Sequence, residues 1–212
     1  MTQIFGVPYW KYIVDPKQFD NKILKDIEHN YSIDKNRNKW DGKSHLYSNI
    51  HHSNRDKGNS KFKEIDYKTV IPLYHSIFDR FAKQLELKDT FNYSFQKTNY
   101  TAMTSGQYMR AHNHIGDSDF TCIHYLQFNP EKHQSTLFHN SHHWADDYQY
   151  LRPDFYKKLD IQNDKHSYLL KYWQIPTKQD DFIITPSSII HEVPTFTSDE
   201  LRVTLVVNLQ IK

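Results

Sequence analysis

The stretch from Tyr108 to Phe128 reads YMRAHNHIGDSDFTCIHYLQF and sets His112 and His114 two positions apart at the end of a strand-like run. Residues two apart on a strand point the same way, so both imidazoles can face one interior volume. His191 follows far downstream in PSSIIHEV, and Arg202 comes after it in LRVTLVVNL. Neutral imidazole is a common ligand for Fe, Zn, Cu and Ni. Two close ligands, a distant third and a trailing arginine describe an open metal site with a carboxylate anchor beside it. Any one of the 14 histidines taken alone is better read as a core or surface residue. The pairs His51-His52 and His142-His143 stay in that class, because adjacent strand residues point to opposite faces. His112 and His114 leave it only jointly with His191 and Arg202.

The last strand adds weight to the set. Leu201, Val203, Leu205, Val207 and Leu209 share one face and belong against core-covering elements, while Arg202, Thr204, Val206, Asn208 and Gln210 share the other. An arginine turned into a barrel needs an anion, since a buried unpaired guanidinium is strongly disfavoured. Its fork suits a carboxylate, with the Thr204 hydroxyl beside it. An internal salt bridge to Asp or Glu is the competing explanation.

The elements that must position these residues can be read from pattern. Residues 1–14 read as an extended strand. Asp15-Pro16 is a helix-start signal, and Phe19, Ile23, Leu24 and Ile27 recur at helical spacing. Residues 30–60 are polar and read as irregular, although Trp40, Leu46, Tyr47 and Ile50 can still pack. A longer helix is expected from Asp66 to Leu87, with Pro72 arguing for a start near Thr69. Two helices with one apolar stripe each want a sheet face to cover. From Phe91 the period becomes that of a strand, and further strands are expected at Gln107–His112, Phe120–Phe128, Ser135–His139, Asp181–Thr185, Ile189–Val193 and Leu201–Ile211. Many short strands separated by turns point to a sandwich or jelly roll. Residues 140–172 break the rhythm and read as a part-helical insertion at the barrel mouth, where Trp144, Tyr148 and Tyr150 are candidate substrate contacts or cap residues. The division expected is a single domain over 1–212, with a support region at 1–90 and a jelly-roll core at 91–212.

Composition narrows the setting. With 212 residues one sizeable core is expected, and 15% aromatic residues against a mean hydropathy of -0.83 favour a sheet built from Tyr, Phe and β-branched side chains. A net charge of +2 and pI ≈ 8.4 give no general electrostatic case for nucleic acid, and Lys35–Lys43 is a solvated charge run. The single cysteine, Cys122, allows no internal disulfide and reads as a small core residue. MTQIFGVPYWKYIVD lacks the basic start and apolar run of a signal peptide, and no window reaches the length of a membrane span. The expectation is a soluble, cytoplasmic protein with no membrane partner.

Over residues 91–212 the chain resembles the 2-oxoglutarate and Fe(II)-dependent oxygenases, closest to those of phages and marine bacteria related to prolyl hydroxylases. The motifs that carry the likeness are GQYMRAHNH, FTCIHYL, DDFIITPSSIIHEV and Arg202-x-Thr204. The resemblance implies a mainly β fold with flanking helices, a double-stranded β-helix of the jelly-roll, cupin-like kind. It implies Fe(II) as metal, 2-oxoglutarate as co-substrate and O2, with hydroxylation of an unidentified small-molecule or peptidyl substrate and release of succinate and CO2. His112 and His191 match the ligand histidines. Arg202 matches the residue that pairs with the distal carboxylate of 2-oxoglutarate, with Thr204 and Tyr125 beside it and Tyr108 as an aromatic on the approach strand. Two departures stand out. Where the family has His-x-Asp or His-x-Glu this chain has His114, so either three histidines bind the metal or Asp117 or Asp119 supplies a carboxylate; the three-histidine set is preferred. Asp180 also stands where a glycine commonly precedes the strand before the distal histidine. Two other readings remain: a cupin-like metal protein that works without 2-oxoglutarate, as dioxygenase, isomerase or sensor, and a non-enzymatic jelly-roll module.

Overall fold

The computed structural model describes residues 7–37, 43–50, 61–65, 67–86, 92–142, 144–160 and 163–212. The first six residues of the expected opening strand, Trp40, the His51-His52 pair, Phe91 and His143 lie outside them, as do the side chains of Ile50, Trp144 and Tyr148.

Among the described residues ten strands form two antiparallel sheets. The larger has the order β1 (Trp10–Ile13), β8 (Asp181–Pro186), β5 (Phe120–Gln127), β10 (Arg202–Ile211), β3 (Tyr93–Met103), β2 (Tyr47–Ile50). The smaller has the order β4 (Met109–His112), β9 (His191–Val193), β6 (Leu137–His139), β7 (Tyr172–Gln174). This is a double-stranded β-helix with flanking helices. The strands alternate between two cores. Cys122 and Leu126 of β5, Phe182 and Ile184 of β8, and Val203, Leu205 and Val207 of β10 turn outward to meet the helices. Ile123, Tyr125, Ile183 and Val206 turn inward against Phe138 and Trp173 of the smaller sheet. β5 is therefore buried on both faces, which is why FTCIHYL reads as a nearly unbroken apolar run.

Helix α1 (Asn21–Ile33) contributes Ile23, Ile27 and Tyr31 to the outer core, and α3 (His75–Leu85) contributes Ile77, Phe78 and Phe81. Both starts differ in detail from expectation. Asp15-Pro16 opens only a 3-10 turn at Pro16–Gln18, with the Asp15 carboxylate accepting from the Lys17 amide. Asp20 then caps α1 through the Lys22 amide. Pro72 falls in the first turn of a 3-10 segment and not of an α-helix starting near Thr69. Helix α2 (Tyr67–Val70) precedes it, and the chain passes through a 3-10 segment at Ile71–Tyr74 before α3, so the missing amide falls where the hydrogen-bond ladder already shifts.

Two strands went unread in the sequence. β2 lies in the stretch expected to be irregular and is held as an edge by pairing with β3. β7 closes the region expected to be an insertion and pairs with β6. That region otherwise carries α4 (Trp144–Leu151) and α5 (Pro153–Tyr156). β3 runs far beyond its alternating Tyr93-Phe95 start, and a register shift opposite Val207 and Leu209 hides its continuation from a period-of-two reading. Asp180 has φ +66°, a left-handed conformation that a glycine adopts without strain. The turn keeps it through backbone bonds: its N–H donates to Tyr125 and its carbonyl accepts from Val14.

His124 of β5 sits wholly inside the outer core, ringed by Phe19, Tyr74 and Phe182, with the Tyr74 hydroxyl 2.9 Å from Nδ1. Burial lowers its pKa to about 3. Above pH ~6.5 the imidazole is neutral in both states and its contribution is complete. Between there and about pH 3 the unfolded chain binds a proton that the native core refuses, so stability falls as pH drops through that window. Denaturant midpoints measured from pH 7 to 4 should decline less steeply for His124→Phe than for the parent chain; parallel declines would mean that His124 takes no part.

Candidate metal centre

His112 ends β4 directly opposite His191, the first residue of β9. The β4–β9 register shifts between Met109 and His112, leaving Arg110 and Ala111 exposed while Met109 is buried and His112 half-buried. His114 does not arrive by strand alternation, because β4 has already ended. Its N–H donates to the Ser187 carbonyl, and a turn to Asp117 closes through Gly116 at φ +85°. The result still brings the three rings together. Their candidate ligand nitrogens lie within 4.8 Å of one another, and this is the one such His/Cys/Asp/Glu cluster among the described residues. Ring centroids are 5.2 Å apart for His112–His114, 4.4 Å for His112–His191 and 5.3 Å for His114–His191.

Backbone groups orient two of the rings. His112 Nδ1 is 2.8 Å from the Arg110 carbonyl and His191 Nδ1 is 3.1 Å from the Ile189 carbonyl. A carbonyl can only accept, so each Nδ1 carries the proton and each Nε2 presents a lone pair. For His114 the Nδ1 partner is the Asn208 side-chain amide at 3.1 Å. Burial, then the neighbouring His112 and His114, hold the pKa of His191 well below its ordinary value, so it stays a neutral donor. Neither acid on the loop joins the cluster: the Asp119 carboxylate accepts from the Ile211 amide at the far end of β10.

Arg202 begins β10 on the inward face and is fully buried. Nε donates to the Gln134 carbonyl at 3.0 Å, while Nη1 and Nη2 are buried with no hydrogen-bond partner among the described residues. Its carbon lies 5.5 Å from the Tyr125 ring centroid and 5.8 Å from that of Phe128. Burial pushes the guanidinium pKa down and Tyr125 works against that shift. Thr204 is paired across the strands with Tyr125, and its hydroxyl is 2.8 Å from that of Thr101. The Tyr125 hydroxyl meets Thr136. No internal salt bridge to Arg202 exists among the described residues, so this end of the barrel is a cradle around a buried cation. Tyr108 is not brought to it: its ring stacks on His45 at 5.2 Å and its hydroxyl donates to the Lys43 carbonyl.

Beside the histidines a cavity of about 270 Å³ opens between the sheets, walled by Tyr9, Phe138, Trp173, Thr185 and Ile189. Asn140, His142 and Tyr168 of the 140–172 stretch also line it, whereas Tyr150 is exposed. Asn208, Ser187 and the Gln134 carbonyl were missed as site residues. Alternation had already put Asn208 on the Arg202 face, whereas no side-chain pattern announces a backbone carbonyl.

A double-stranded β-helix with an imidazole cluster at one end of its interior face and a buried arginine at the other defines the class of non-haem metal oxygenases that use a 2-oxo acid. The family model described as "Putative 2OG-Fe(II) oxygenase", 2OG being 2-oxoglutarate, matches residues 99–208, just over half of the chain's 212. The chain belongs to that family and is a 2-oxoglutarate-dependent oxygenase, whose cofactor set is Fe(II), 2-oxoglutarate and O2. The reading as a non-enzymatic jelly-roll module is thereby overturned. No curated protein matches the sequence. Among solved structures the fold is similar to a Pseudomonas putida prolyl-4-hydroxylase (9% identity, TM-score 0.55, covering 96% of this chain and 93% of that one). It is also similar to a Trichoplax adhaerens prolyl hydroxylase in complex with a hypoxia inducible factor peptide fragment (11%, 0.54, 95% and 83%). A third likeness is to the α-ketoglutarate-dependent carbocyclase SnoK from nogalamycin biosynthesis (10%, 0.57, 96% and 79%). At these identities the likeness is one of fold. Among the described residues no helix is long and apolar enough to cross a membrane.

The cradle makes a stability prediction that needs no substrate. Replacing even a buried ion pair by well-packed apolar side chains is often neutral or stabilising by up to about 4 kcal/mol, and a buried charge with fewer partners has less attraction to lose. Without 2-oxoglutarate, Arg202→Met should therefore unfold at a higher temperature than the parent chain. A lower unfolding temperature would show that the guanidinium is already satisfied.

Proposed function

We propose that the protein hydroxylates a small-molecule or peptidyl substrate, with His112, His114 and His191 holding Fe(II) and Arg202 holding the distal carboxylate of 2-oxoglutarate. The observation that carries this is the Arg202 guanidinium, fully buried with no hydrogen-bond partner for either Nη atom among the described residues, on the inward face that also bears the partner of His114. Bound there, Fe(II) with 2-oxoglutarate and O2 supplies oxidative decarboxylation to succinate and CO2 together with oxygen transfer to a C–H bond.

The chain's own residues then have separable tasks. The three imidazoles grip the metal through neutral nitrogens, with the rings of His112 and His191 fixed by backbone carbonyls. Arg202 forms charge-assisted bonds to the carboxylate, and Thr204 and Tyr125 offer hydroxyls beside it. Ile123, Phe138, Ile183 and Val206 wall the space between the sheets and keep water from the reacting centre. The cavity edged by Phe138, Trp173 and Ile189 is the place for the substrate, since Phe138 lies 5.9 Å from His191, ring to ring. Its size and its wall of mixed aromatic, aliphatic and polar residues suit a side chain or a compact metabolite. The chain works as a single domain, in which residues 1–90 support the barrel and also supply the edge strands β1 and β2.

The test is an anaerobic titration with Fe(II) and 2-oxoglutarate, followed through the visible charge-transfer band of the chelate. A saturable band is expected; its absence would sink the assignment of these histidines and Arg202 to the chelate. His114→Ala should weaken Fe(II) binding while Asp119→Asn leaves it unchanged, and the reverse order would hand the third position to the acid. Arg202→Ala should weaken 2-oxoglutarate binding by roughly one to a few powers of ten, because each charge-assisted bond is worth roughly 1.5–3 kcal/mol. Equal affinities would remove Arg202 from this role.

A further inference from the structure

The three imidazoles are not held alike. His112 and His191 each face a backbone carbonyl through Nδ1, a partner that fixes one tautomer. His114 faces the side-chain amide of Asn208, which is 3% exposed and reaches it from β10 with Nδ2 3.1 Å from the ring Nδ1. An amide nitrogen donates, so in this pose His114 Nδ1 accepts and its proton sits on Nε2, the tautomer that cannot ligate there. The same pose leaves Asn208 Oδ1 buried without a hydrogen-bond partner among the described residues. A half-turn of the amide about Cβ–Cγ changes both facts at once: Oδ1 gains the Nδ1 proton, and Nε2 is left with a lone pair.

We infer that Asn208 is the positioning residue for His114, its amide turning to accept the Nδ1 proton and so selecting the ring tautomer that binds metal. The inference rests on the three-histidine reading and deepens it. A metal ligand of this kind is normally held by a carboxylate, a carbonyl or water on its second nitrogen. An amide instead is competent in one orientation and silent in the other, so the third ligand is the conditional one. The neutral amide also adds no charge beside a site that already lacks the family's carboxylate.

The experiment is Co(II) titration of the metal-stripped, full-length protein without 2-oxoglutarate, read by the visible absorption of the bound ion. Asn208→Leu, which keeps volume and removes the acceptor, should bind Co(II) about 10–100-fold more weakly. Asn208→Asp, which keeps an acceptor oxygen, should restore affinity to the parent value or better. In a His114→Ala background Asn208→Leu should cost nothing more, since its effect passes through that ring. Parent-like affinity in Asn208→Leu, or the same loss in the His114→Ala background, overturns the inference. Should Asn208→Leu fail to fold by circular dichroism, 15N spectra of the Zn(II)-loaded parent decide: an Nδ1–H signal for His114 supports it and an Nε2–H signal refutes it. A parent chain that binds no Co(II) would instead sink the three-histidine reading itself.

Discussion

A permanently charged side chain with no solvent and an incomplete set of partners is the constraint on which the rest of this structure depends. Arg202 cannot shed its proton at any physiological pH; its Nε meets the Gln134 carbonyl and its guanidinium lies over the Tyr125 and Phe128 rings, but neither Nη has a hydrogen-bond partner among the described residues. A fold tolerates such a group only where the surrounding packing is strong enough to hold it. Here the packing comes from behind: Val203, Leu205 and Val207 of the same strand, on the opposite face, are clamped under α1 and α3. The helices thus secure the strand that carries the cation, and their link to function is mechanical. The same strand carries Thr204 and Asn208, so one element serves both ends of the site.

The metal end is organised by a different economy. Its candidate ligands come from strand ends and a loop, where backbone carbonyls meet the imidazole nitrogens of His112 and His191. Three neutral imidazoles in the proposed ligand set would bring no charge to offset a divalent ion, where the family usually has His-x-Asp or His-x-Glu. The Asp119 carboxylate that could have compensated is spent on the last residues of β10, where it holds the strand end in register. Iron held by imidazole alone should be bound less tightly and tuned differently from iron with a carboxylate. The outer groups around those imidazoles therefore matter more here than they would in a site anchored by charge.

Much of the site was legible because its parts obey short-range rules. The alternation in LRVTLVVNL puts Arg202, Thr204, Val206 and Asn208 on one face and Leu201, Val203, Leu205, Val207 and Leu209 on the other, and the structure keeps Val206 apart from the others. Asp180 was read as a residue in a glycine's place, and its φ of +66° agrees. What failed were inferences that needed a partner strand. β2 and β7 carry little pattern of their own and exist because β3 and β6 lie beside them. The resemblance places Tyr108 as an aromatic on the approach strand, whereas an isolated bridge to His45 stacks its ring there and its hydroxyl donates to the Lys43 carbonyl. His114 reached the cluster although the strand meant to aim it had ended.

By itself the sequence determined the chemistry available: which rings, which cation, and on which side of the final strand they fall, because side-chain identity and a period of two are local properties. Only the tertiary structure decided which of them meet. It turned His112 inward through a bulge, anchored His114 on Ser187, drew Asp119 away and left Arg202 incompletely paired. Each of those outcomes depends on a backbone group or strand register contributed from elsewhere in the chain, and no local pattern encodes a partner that lies dozens of residues away.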